Sequence, residues 1–187
     1  MTDAARVLGV DPGSHRTGWG LVQRDGSRLT YLASGTITAG REEMAMRLVF
    51  IAESLERVID QHRPHALAIE TVFHAKNARS ALLLGHARGV AIVCAARRLV
   101  PVFEYTAGQI KCATAGHGRA DKRQVQAMVR KILGHQGEMS LDASDALAAA
   151  ICHSQTESTP TARALREALT EARTLRPRRR TGRRRRA

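Results

Sequence analysis

Along the first forty residues the apolar positions fall in short runs, and beyond them they settle into helical spacing. Residues 6–11 form a β-branched and leucine run ended by Pro12-Gly13, which predicts a strand entering a turn. Residues 17–23 and 28–38 read as two further strands joined by a turn at Asp25-Gly26, so the three make an antiparallel meander. Met44, Leu48, Ile51, Leu55 and Ile59 then recur on one face of an amphipathic helix. Pro64 separates that helix from residues 66–70, an apolar run of the kind buried on both faces of a central parallel strand. The alanine- and leucine-rich segment 77–98 predicts a helix with a face buried by the core or by a second subunit. Residues 100–104 suggest another strand, and 106–113, 122–133 and 142–153 three more helices. Strands first, then strands alternating with helices, imply an α/β fold: a mixed five-stranded sheet covered by helices.

Charge adds a second feature to this picture. The 187 residues carry 30 Lys and Arg against 17 Asp and Glu, a formal charge of +13. Eight of those thirteen charges are arginines within residues 176–187, leaving +5 on the remainder. The chain therefore reads as a folded domain over 1–155 followed by a basic tail over 156–187, rich in Ser, Thr, Pro and Arg, with little stable structure expected apart from a possible helix at 162–174. Such a charge favours a polyanion as partner. The longest run without a charged residue, 29–40, is too short to span a membrane, and Asp11 interrupts any signal-peptide core. Three scattered cysteines argue against a disulfide framework or a structural zinc site, which suits a reduced, cytoplasmic location.

Four carboxylates occupy suggestive places. Asp11 ends the first strand and Glu70 the central one, where side chains reach the rim of a sheet. Asp142 and Asp145, spaced i, i+3, share a face at the start of a helix whose next turns are apolar. Each also has a structural reading: Asp11 as a turn former, Glu70 as a strand-terminal charge, Asp142 as an N-cap with Asp145 favouring the helix dipole. Together they suit hard divalent cations, Mg²⁺ or Mn²⁺, that activate water against a phosphodiester. Arginine outnumbers lysine 26 to 4, so Lys111 and Lys122, flanking Gly116-His-Gly118, stand out as candidate phosphate contacts. Phe73, one of only six aromatics, follows Glu70 closely and could be core or could stack on an unpaired base.

Four segments in order give these residues a context: Asp11-Pro-Gly-Ser-His-Arg-Thr-Gly18, Glu70-Thr-Val-Phe-His-Ala-Lys-Asn77, Leu84-Gly-His-Ala-Arg-Gly-Val-Ala-Ile92 and Leu141-Asp-Ala-Ser-Asp-Ala-Leu147. With Pro101-Val-Phe-Glu-Tyr105 and Ala120-Asp-Lys-Arg-Gln-Val-Gln126, they closely resemble the RuvC family of Holliday junction resolvases over roughly residues 5–155. The resemblance implies an RNase H-like fold, a homodimer, and Mg²⁺-dependent cleavage of four-way junction DNA with two ions per site. It also implies RuvA and RuvB as partner proteins. By it, Asp11, Glu70, Asp142 and Asp145 fall on metal-binding acids, and Lys111 and Lys122 on basic residues near the scissile phosphate. Phe73 falls on the aromatic that stacks on a base at the junction centre. The arginine tail lies outside the resemblance, and is expected to add sequence-independent, salt-sensitive DNA affinity.

Overall fold

The computed structural model describes residues 4–71 and 78–156. Phe73 and nearly all of the basic tail, including 162–174, lie outside the described residues. The elements are β1 (Ala5–Asp11), β2 (Arg16–Asp25), β3 (Arg28–Thr38), α1 (Met44–His62), β4 (Ala66–Glu70), α2 (Ala78–Arg97), β5 (Val102–Tyr105), α3 (Ala107–Ala115), α4 (Lys122–Leu133) and α5 (Leu141–Thr156). They build one five-stranded sheet of order β3-β2-β1-β4-β5. The meander β1-β2-β3 is antiparallel, and β4 and β5 extend it in parallel to β1.

Strand alternation splits the core in two. Leu8, Val10, Leu67 and Ile69 point to one side, where they pack with Ile51, Leu55 and Ile59 of α1 and Ala91 and Cys94 of α2. Val7, Val22, Ala68 and Tyr105 point to the other, against Ile110, Val125, Val129, Leu147 and Ile151 from α3, α4 and α5. Both faces of the sheet are therefore covered by helices, as the sequence predicts.

α5 lies against the sheet almost backbone to backbone. Gly9 and Gly20 are register partners, and Gly18 pairs with Asp11, so the three glycines share the α5 face of the sheet. A Cβ on Gly9 would overlap the Ala146 carbonyl, one on Gly18 the Asp142 carbonyl, and one on Gly20 the Leu147 side chain. Glycine here is a spacing device. It lets the helix that carries Asp142 and Asp145 descend onto the strand that carries Asp11.

Two local expectations are corrected. Asp142 is not the N-cap of α5: Ser140 Oγ accepts the Ala143 N–H (3.1 Å), and Asp142 lies within the first turn with its carboxylate turned to Arg16. β5 begins at Val102 rather than 100, because the Val100 N–H closes the end of α2 on Ala95 O (2.9 Å) and Pro101 has no N–H to give. α2 also changes the membrane picture. Its window Ser80–Arg97 has a mean hydropathy of 1.2 and is long and apolar enough to cross a bilayer by length and composition. Yet Ala87, Ala91, Cys94 and Ala95 on one face are fully buried in the core, while Leu82 and Val93 remain more than half exposed.

Candidate active site

Parity along the strands fixes where the acids point. Asp11 follows Val7 and Gly9 on the α5 face of β1, and Glu70 follows Ala68 on the same face of β4. The two parallel strands end side by side, so both carboxylates emerge at one edge of the sheet. The first turns of α5, seated by Gly18, bring Asp142 and Asp145 down onto that edge. Thr17, fully buried, braces the turn after Asp11: its hydroxyl donates to Gly13 O (2.9 Å) and accepts the Gly13 N–H (3.4 Å). On the other strand, the Thr71 N–H donates to Tyr105 O (2.8 Å), tying the residue after Glu70 to β5.

The electrostatics register this convergence. Burial first, then the negative charges of Asp145, Glu70 and Asp142, push the Asp11 carboxyl up to about 7, against a partial offset from Lys122. Glu70 is raised as well, by burial and by Asp145, with Lys122 and Lys111 pulling the other way. Two cations already lean on the cluster. Lys122 Nζ donates to Asp145 Oδ2 (2.8 Å), a bond that raises the lysine, and Arg16 Nε meets Asp142 Oδ2 (2.8 Å). Lys111, half-buried on α3, lies within electrostatic reach of Glu70. Thus six of the seven residues singled out from the sequence gather at one place. Phe73 lies outside the described residues.

The donor set fits a hard divalent cation: oxygen ligands only, held close by backbone rather than by mutual attraction. As placed, no three acidic, His or Cys side chains among the described residues close tightly enough to hold an ion. Lys122 and Arg16 each hold one of the α5 carboxylates. A bound cation would exchange with these two side chains.

Residues 7–153 match the family described as crossover junction endodeoxyribonuclease RuvC. The chain belongs to the RuvC family. The RuvC of Pseudoalteromonas translucida is 52% identical over 153 residues, spanning 82% of this chain and 88% of the relative. That of Geobacter sulfurreducens is 52% identical over 149 residues, 79% and 91% of the respective lengths. Among solved structures, Thermus thermophilus RuvC in complex with a Holliday junction substrate superposes with a TM-score of 0.75 at 34% identity, covering 80% of this chain and 92% of that one. The yeast mitochondrial Holliday junction resolvase Ydc2 superposes at 0.59 with 11% identity, covering 90% and 86% of the two chains; it shares the fold.

Sequence reasoning missed the groups that steady this cluster. Arg88, on α2, donates from Nε to Glu70 O (3.4 Å) and pairs with Glu104 of β5, so one guanidinium spans the ends of two strands. Arg16 is the other omission. A signal for it was present: Arg16, Gly18 and Gly20 share strand parity, and the two glycines mark the face on which α5 sits.

Proposed function

We propose that this chain is a homodimeric, Mg²⁺-dependent endodeoxyribonuclease that resolves four-way DNA junctions in recombination and repair by paired symmetric nicks. The observation that carries the reading is the convergence of Asp11, Glu70, Asp142 and Asp145 at one sheet edge, in a chain of the RuvC family. These four acids would hold two cations per site, Mg²⁺ with Mn²⁺ able to substitute. When bound, such ions generate the attacking water and stabilise the departing 3′-oxygen, giving 5′-phosphate and 3′-hydroxyl ends.

The remaining roles belong to the chain's own groups. Lys122, released from Asp145, would turn its ammonium to a phosphate oxygen, with Lys111 beside it. Phe73 would stack on an unpaired base at the junction centre. The outer face of α2 supports self-association. Leu82 and Val93 are exposed three turns apart, and the Gly85 and Gly89 positions between them open onto free space, so a second helix can approach closely. Two copies about a two-fold axis would set two sites on symmetric strands. Residues 1–155 would form the nuclease domain and 156–187 a basic tail adding non-specific affinity. RuvA and RuvB would be its partners in a cytoplasmic resolution pathway.

Cleavage of a mobile synthetic four-way junction tests the proposal, with linear duplex as control, in Mg²⁺ and in Ca²⁺. Paired symmetric nicks are expected in Mg²⁺ alone, with Asp11→Asn and Asp145→Asn binding the junction but cutting at least about a thousandfold more slowly. Binding without cutting by the unmodified protein would favour a recruiting role. Equal cutting of duplex would remove the junction specificity.

A further inference from the structure

Beside the carboxylates, a groove of about 590 Å³ opens between β2, β3, the end of α4 and the start of α5. Its polar lining includes Arg16, Ser34, Thr36, Arg130, Glu138 and Ser140. We infer that this groove binds a backbone phosphate of the substrate strand adjacent to the one that is cut, with Arg16 as its movable ligand. The inference rests on the nuclease reading and adds a second phosphate position to it.

Three observations carry it. Arg16 joins the groove to the acids: its Nε touches Asp142 Oδ2, yet 58% of its side chain is exposed, so it can turn from carboxylate to solvent-side ligand without disturbing the core. Arg130 brings a second guanidinium, and its Nε is buried without a hydrogen-bond partner among the described residues. A buried donor left unpaired is costly, so a shift of the Arg130 side chain toward the groove, where an anion oxygen could pair with it, would be favourable. Hydroxyls complete the lining: Thr36 Oγ1 and Ser140 Oγ hydrogen-bond to each other (2.8 Å) at the N-terminal end of the sixteen-residue α5. Two arginines against one glutamate leave a single net positive charge, which matches one phosphodiester. A planar fork flanked by hydroxyls is the donor geometry that phosphate oxygens accept.

The arrangement also links the groove to the acids. In the free protein Arg16 neutralises Asp142. A cation taking Asp142 removes that attraction and repels the guanidinium, which then turns into the groove. Cation binding and phosphate binding here should therefore reinforce one another.

Full-length protein, in Ca²⁺ and in EDTA, is titrated with four-way junctions carrying one neutral methylphosphonate at each position flanking the cut. At one flanking position the unmodified protein should lose roughly tenfold in affinity in Ca²⁺, and less in EDTA. Arg16→Gln should lose a similar factor on the all-phosphate junction, with no further loss from that methylphosphonate. Glu138→Gln, which removes a repelling charge from the same groove, should bind two- to fivefold more tightly, by about the scale of one surface charge. Arg130→Gln provides the second arm, and Arg16→Gln decides alone if Arg130→Gln fails to fold. Losses from Arg16→Gln and from the methylphosphonate that multiply at every position would overturn the inference while leaving the nuclease reading intact. Failure of the unmodified protein to bind any junction would overturn both.

Discussion

At Asp11, burial and three neighbouring carboxylates act in the same direction, and the physical consequence reaches stability as well as chemistry. Its native pKa of about 7 lies above the ordinary 3.8, so the folded state holds this proton more tightly than the unfolded chain does. Without divalent cations, the Asp11 contribution to stability is greatest below pH 3.8 and is lost as pH rises from there through about 7. Asp11→Asn should therefore raise the cation-free stability by up to about 4 kcal/mol at pH 8 and change little at pH 4. Mg²⁺ should raise the unfolding midpoint of the unmodified protein more than that of the variant. Urea titrations at the two pH values check this; a variant less stable at pH 8 would mean that Asp11 is held by contacts rather than strained by charge. The four acids were legible in the sequence because each ends an apolar run or begins an apolar helix. Arg16 was not, since its partner Asp142 is more than a hundred residues away in sequence, and the parity Arg16 shares with Gly18 and Gly20 marks a strand face but no partner. The N-cap reading of Asp142 failed for a related reason: Ser140, two residues earlier, offers the competing cap, and local preference cannot rank the two.

At the scale of elements, the site depends on how closely α5 can lie on β1 and β2. Gly18 is the critical spacer, because a methyl group there would collide with the backbone of Asp142 itself. Gly18→Ala should destabilise the fold by about 3 kcal/mol, at the upper end of overpacking costs, and reduce cleavage more than junction binding as the α5 acids lift off the sheet. Chemical denaturation and a kcat-against-Kd comparison check it. A stability change under about 0.5 kcal/mol would show that α5 can shift freely and that the glycines are not its seat. The bounds of β3, β4 and α4 match the sequence reading of 28–38 after the Asp25-Gly26 turn, of the continuous apolar run 66–70, and of the helix 122–133. β5 was not, because hydrophobicity does not reveal that the Val100 N–H is spent on closing α2 before the strand begins. The glycine alternation across β1 and β2 was visible as letters. Its meaning emerged only once the antiparallel register set Gly9 against Gly20.

For the whole molecule, the distinction that matters is between a helix that fits a membrane and one that fits a second protein. α2 is apolar enough for either by composition, but its two faces differ in kind. Ala87, Ala91, Cys94 and Ala95 are sealed in the core, and Arg88 reaches from the same helix to Glu70 and Glu104, so α2 cannot leave the sheet without unfastening the strand that carries Glu70. The outer face, with Leu82, Val93 and the open Gly85 and Gly89 positions, is what a second copy would cover. Met46 and Phe50 on α1, which packs beside α2, are exposed apolar side chains as well. Val93→Asp should therefore raise the dimer dissociation constant at least about tenfold, the equivalent of about 1.4 kcal/mol, with the fold intact because the side chain already faces solvent in a single copy. Light scattering across a dilution series reads the association. Junction cleavage reads its consequence: paired nicks should give way to single nicks as the variant dissociates, since each subunit keeps its own acids. Unchanged association would move the interface elsewhere on the surface. Dissociation with paired nicking preserved would separate symmetric cutting from this helix, leaving the junction itself to bring two copies together.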